Sequence, residues 1–158
     1  MTFRKITIKA IILTDKKKAW DYYTLPEHIV NWNFASDEWH CPRASNELIV
    51  GGKYYTRMEA KFGEIGFDFE GTYTEVLPDE GFTFKLSDDR EVSVSFTEEE
   101  GQTQVQVIFD AETENPIKLQ TQGWQTILNQ YKKYTEANWA FFKPGELIFL
   151  HFKAAPLK

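Results

Sequence analysis

The residues best equipped for chemistry stand side by side at His40 and Cys41, where an imidazole next to a thiol supplies two parts of an activated nucleophile. Neighbours in an extended chain point to opposite sides, however, and no third group is placed to orient the ring. His28 and His151 stand apart, and no Cys or His spacing matches a zinc site, so no metal, no cofactor and no catalytic residue is expected. Most carboxylates read as solvated: Asp68 and Glu70 share a polar strand face, Arg57 and Glu59 can pair, and Glu98 to Glu100 form a turn. Glu75 is the exception. Strict alternation puts it on the inward side with Tyr73, where a carboxylate would be poised as an acid or base; a paired or wet position at the strand end is the plainer alternative.

Binding chemistry has more to work with. The chain carries five Trp, seven Tyr and thirteen Phe, rings that supply apolar area on few rotatable bonds. In Gly66–Val76 the aromatic Phe67, Phe69 and Tyr73 fall on one face, and Asp68, Glu70, Thr72 and Thr74 on the other. The dry face either packs solid or lines a space kept open for a ligand. Gly71, between these rings, reads as a bend that lets a sheet curl or a helix approach.

The elements that must position these rings follow from period and punctuation. Phe3 to Leu13 alternates as a first strand, and Thr14-Asp15 caps a short helix from Lys16 to Tyr23 that buries Ala19, Trp20 and Tyr23. Thr24 and Glu27 have capping-box spacing at the head of a second short helix, with Pro26 in its first turn. Asn33 to Asn46 reads as irregular. Five strands then follow at Lys53–Lys61, Gly66–Leu77, Phe82–Leu86, Glu91–Thr97 and Thr103–Ala111, joined by short turns that favour an antiparallel meander. Pro116 opens a long helix whose stripe includes Ile117, Trp124, Ile127, Leu128, Tyr131, Trp139 and Phe142. A sheet dry on one side and a helix dry on one stripe must cover each other. The expected class is α+β, a curved antiparallel sheet wrapped around a long C-terminal helix, with two short helices after the first strand.

A net charge of -6 argues against nucleic acid, whose affinity comes from clustered Lys and Arg; Lys16-Lys17-Lys18 reads as a solvated helix face. A single cysteine excludes an intramolecular disulfide. Met1-Thr2-Phe3-Arg4-Lys5 leads into strand sequence and not into an apolar leader, and no run suits a membrane span, so a cytoplasmic protein is expected. One domain is expected over 1–143, followed by an extension at 144–158. Its apolar run 147–152 must be covered, either by its own domain or by a second copy in a homodimer.

This order of elements resembles the START-like, or helix-grip (SRPBCC), superfamily. More narrowly, Leu25–Trp32, Val50–Tyr54, Gly66–Pro78 and Gly123–Leu128 look like blocks of the family homologous to the activator of heat-shock-protein-90 ATPase. The resemblance implies the helix-grip fold, with a cavity between sheet and helix that holds an apolar or amphipathic small molecule. On these positions Tyr54, Met58, Phe67, Phe69, Tyr73, Phe84 and Phe96 would face in from the sheet, Trp124, Ile127, Leu128 and Tyr131 from the helix, with Trp32 and Trp39 near one end. Trp32, Trp39 and Tyr73 would sit where the cavity meets solvent. For each ring singly, core packing is the plainer reading. A non-enzymatic binding module is therefore the leading expectation. Co-chaperone action on a heat-shock protein 90 ATPase ranks lower, since the full activator has a separate N-terminal domain for which this chain lacks room. A polyketide cyclase or dehydratase, using Glu75 and Tyr73, is the third.

Overall fold

The computed structural model describes residues 2–138 of the chain. Expectations for Trp139, Phe142, the boundary after 143 and the 147–152 run lie outside these residues. Seven strands form one antiparallel sheet: β1 Lys5–Ile12, β2 Trp39–Asn46, β3 Lys53–Ala60, β4 Gly66–Leu77, β5 Gly81–Lys85, β6 Glu91–Glu99 and β7 Gln102–Asp110. Their spatial order is β1-β7-β6-β5-β4-β3-β2. Helices α1 Lys16–Thr24 and α2 Pro26–Ile29 lie between the two outermost strands in sequence, and α3 Ile117–Ala137 follows the last strand. The expected α+β architecture is the one the chain adopts.

Alternation explains most of the sheet. In β1 Ile6, Ile8, Ala10 and Ile12 are buried while Lys5, Thr7, Lys9 and Ile11 face out. The two-residue β6–β7 connection puts Glu100 at φ 54° and Gly101 at φ 81°, the doubly left-handed turn that matches strand twist. Asp15 caps α1, its side chain accepting from the Lys18 amide at 2.8 Å.

Three local expectations are corrected. The stretch read as irregular contains β2, an outermost strand with Pro42 inside it and a register shift between His40 and Arg43. Proline removes a ladder donor, so the segment lacks the signature of a strand and survives as one only at this position. The capping box at Thr24 does not form: the Thr24 hydroxyl donates to the Trp20 carbonyl at 2.7 Å, and α2 starts after Leu25 without a side-chain cap. In β4 the register slips at Thr74, because Tyr73 pairs with Phe84 but Glu75 pairs with Thr83. One extra residue reverses the phase of every later side chain. Val76 turns inward and Glu75 is exposed.

Helix α3 presents Gln120, Leu128, Tyr131 and Thr135 as its buried residues, with Ile117, Trp124, Ile127 and Tyr134 packed beside them. Its polar contacts with the sheet run along β1 and the residue after it. Gln125 Nε2 donates to the Lys9 carbonyl at 3.1 Å, Lys132 Nζ to the Ile11 carbonyl at 2.5 Å, and the Leu13 amide donates to Glu136 Oε2 at 2.9 Å. Gln120 fastens the preceding loop, donating to the carbonyls of Glu112 and Asn115 and accepting from the Glu112 amide.

Candidate functional site

Sheet and α3 enclose a cavity of about 170 Å³. Its sheet wall is built by residues of six strands, its helix wall by Trp124, Ile127 and Leu128, and Tyr23, Trp32 and Asn33 close it from the α1–α2 side. Of the rings expected to face inward, Trp32, Tyr54, Phe67, Phe69, Phe84 and Trp124 border this space, together with Met58, Ile127 and Leu128. Phe67 is 48 % exposed, so it stands where the cavity reaches solvent.

Trp39, Tyr73, Phe96 and Tyr131 do not line it. Trp39 leans on the Phe67 ring at 5.9 Å, on the outer strand β2. Tyr73, expected at the mouth, is buried between Phe82 and Phe84 in edge-to-face contacts of 5.6 and 5.9 Å, and its hydroxyl donates to Asn46 Oδ1. Asn46 Nδ2 in turn holds the Thr24 carbonyl at 2.8 Å, so this pair ties β4 and β2 to the α1–α2 turn. Phe96 packs edge-on to Trp20 and Tyr23. The Tyr131 hydroxyl donates to the Ala19 carbonyl at 2.6 Å, with Tyr23 and Trp32 against its ring. Tyr73, Phe96 and Tyr131 belong to a second part of the interior, packed around Tyr23 and Phe82.

Sequence reasoning missed several walls. Ile8, Val92, Val94 and Val107 alternate inward, and their small size is what leaves room beneath α3. Thr56 follows from the period that gives Tyr54 and Met58, being the residue between them on one face of β3. Gly71 is required by a ring and not by a helix: a Cβ there would lie 2.3 Å from Phe84 Cδ1. With no side chain in the way, Phe84 lies flat against Tyr54, ring centres 5.0 Å apart.

Among the described residues, no charged side chain lines the cavity. The polar groups bordering it are Tyr23, Tyr54, Thr56 and Asn33. Burial pushes both phenols far above their usual range, so they stay protonated and can donate. Asn33 Nδ2 donates to Met58 Sδ, a weak acceptor, at 3.5 Å, and its side chain also bears on the Cys41 thiol. Thr56 is fully buried and its hydroxyl has no hydrogen-bond partner among the described residues.

The candidate nucleophile is disassembled by β2. Cys41 is buried, its thiol donates weakly to the Arg43 carbonyl at 3.5 Å, and burial raises its pKa. His40 lies instead toward Glu59, 3.8 Å away. The outer face carries a charged cluster, with Arg57 bridging Glu59 at 3.0 Å and Asp68 at 3.3 Å. Among the described residues no group of three or more His, Cys, Asp or Glu is gathered for a metal, and no helix is long and apolar enough to cross a membrane.

The family described as Activator of Hsp90 ATPase homolog 1-like protein matches residues 14–136. The solution structure of an AHSA1-like protein from Aeromonas hydrophila is 42% identical, covering 85% of this chain and 93% of its own, with a TM-score of 0.80. A solution structure from Cytophaga hutchinsonii is 40% identical over 88% of this chain and 96% of its own, TM-score 0.74. A Chromobacterium violaceum protein at 17% identity, covering 84% of this chain and 96% of its own with a TM-score of 0.74, shares the fold alone. A comparison with curated proteins returned no match.

Proposed function

The chain belongs to the Activator of Hsp90 ATPase homolog 1-like family and has its helix-grip fold, and from that premise we propose that it is a binding module for a small apolar or amphipathic molecule. One observation carries this reading: the cavity of about 170 Å³ left between sheet and α3, walled largely by apolar side chains. Apolar cavities of about 150 Å³ take up a benzene-sized molecule, whereas drug-sized ligands occupy about 300–1,000 Å³. The enclosed space therefore suits one ring or a short chain, and a longer amphipathic molecule would extend past Phe67. Cyclase or dehydratase chemistry loses its proposed carboxylate, since Glu75 points to solvent. Action on a chaperone ATPase is carried by the family description alone and by no geometry of this chain.

Titration with toluene, followed by amide NMR, tests the proposal. Saturable shifts should centre on Val92, Val94, Val107 and Ile127, and Val94→Phe, which plugs the cavity, should abolish them. Absence of saturable shifts in the wild-type protein rejects it.

A further inference from the structure

The cavity's polar groups narrow the class of ligand, an inference that rests on the cavity-binding reading above. We propose that this cavity selects an uncharged, single-ring-sized molecule bearing one hydrogen-bonding group, and that Thr56 is the residue that reads that group. Thr56 sits mid-strand in β3, opposite Ala44 on one side and Phe69 on the other. The Tyr54 phenol, two residues back on the same strand face, lies beside the Thr56 hydroxyl, but the two do not meet in hydrogen-bonding geometry. That hydroxyl is shut off from solvent without a partner, although valine has the same shape and would avoid the cost of an orphaned buried hydroxyl. Two buried threonine hydroxyls lack a partner among the described residues, Thr56 and Thr135, and only Thr56 borders the cavity.

Its surroundings define what that atom is. A hydroxyl donates and accepts, so either an alcohol or a carbonyl on the ligand satisfies it. Tyr23, Tyr54 and Asn33 border the same space and add further hydrogen-bonding groups. Among the described residues no lysine, arginine or histidine lines the walls, so a carboxylate or phosphate entering there would lose its hydration without gaining a counter-charge from them. The ligand's polar group is accordingly neutral.

The test compares phenol, toluene and benzoate, matched in size, by calorimetry and amide NMR on the wild type, Thr56→Val and Thr56→Ser. Phenol should bind wild type about fivefold more tightly than toluene, the worth of one neutral hydrogen bond. The preference should vanish in Thr56→Val and persist in Thr56→Ser, while Thr56→Val without ligand should melt at a higher temperature than wild type. Equal binding of phenol and toluene to the wild type overturns the role of Thr56 but leaves the cavity as a binding site. Benzoate binding as tightly as phenol overturns the neutral class. Failure of both phenol and toluene to bind removes the cavity reading itself, and this inference with it.

Discussion

The interior of this protein has two ends built from the same kinds of residue and finished differently. Toward α1, the rings of Trp20, Tyr23, Phe82, Phe96 and Tyr131 meet at 4.9 to 6.0 Å, all but the tilted Tyr23–Phe82 pair edge to face. There the Tyr131 hydroxyl is tied to Ala19, the Tyr73 hydroxyl to Asn46 and the Trp32 indole to the Tyr22 carbonyl. Under the middle of α3, valines replace rings on β6 and β7, a cavity remains, and a threonine hydroxyl is left unpaired beside it. Aromatic content therefore does not decide between core and pocket. What decides is whether large residues face large residues or small ones, and whether each polar tip has been given a partner.

The difference can be broken by mutation. Phe96→Ala, at the closed end, should cost about 3–5 kcal/mol in chemical denaturation, because it opens a void in solid packing. Phe69→Ala, beside space that already exists, should cost about 1–2 kcal/mol less; equal losses would mean that the two ends are packed alike. Gly71→Ala should destabilise by about 1–3 kcal/mol, since the new methyl collides with the Phe84 ring, and should move ring signals of Phe84 and Tyr54. Tyr131→Phe removes one satisfied hydrogen bond and should cost about 1 kcal/mol. The finest discrimination comes from one added methylene. Val94→Ile should raise stability by up to about 1 kcal/mol by filling the cavity. The same change at Val105, which is fully buried away from it, should lower stability.

The sequence made the larger plan legible because burial on one face writes itself as a period. Phe82 and Phe84, Val92 and Val94, Val105 and Val107 each announce a strand and its inner side, and α3 shows its stripe. What stayed hidden depends on departures from period. Pro42 disguises β2, and the slip at Thr74 sends Glu75 outward where uninterrupted alternation would send it in. Tyr73 was legible as inward, but only its neighbours in space, Phe82 and Asn46, determine that it is packed and fastened, not lining the mouth. Thr56 was hidden for another reason. It occupies an inward position that the alternation marks, yet aromatic and apolar signals pass over a small polar residue.

The row of contacts from α3 to β1 has a consequence for how the molecule behaves in company. A sheet that curls without closing leaves two borders whose unused backbone groups invite a strand from another molecule. At one border, the Lys9 and Ile11 carbonyls already receive the amide of Gln125 and the ammonium of Lys132. At the other, Pro42 and the irregular pairing around it spoil any straight template. The fold thus keeps an open-sided shell around its cavity while giving neighbouring molecules little to add to at either rim.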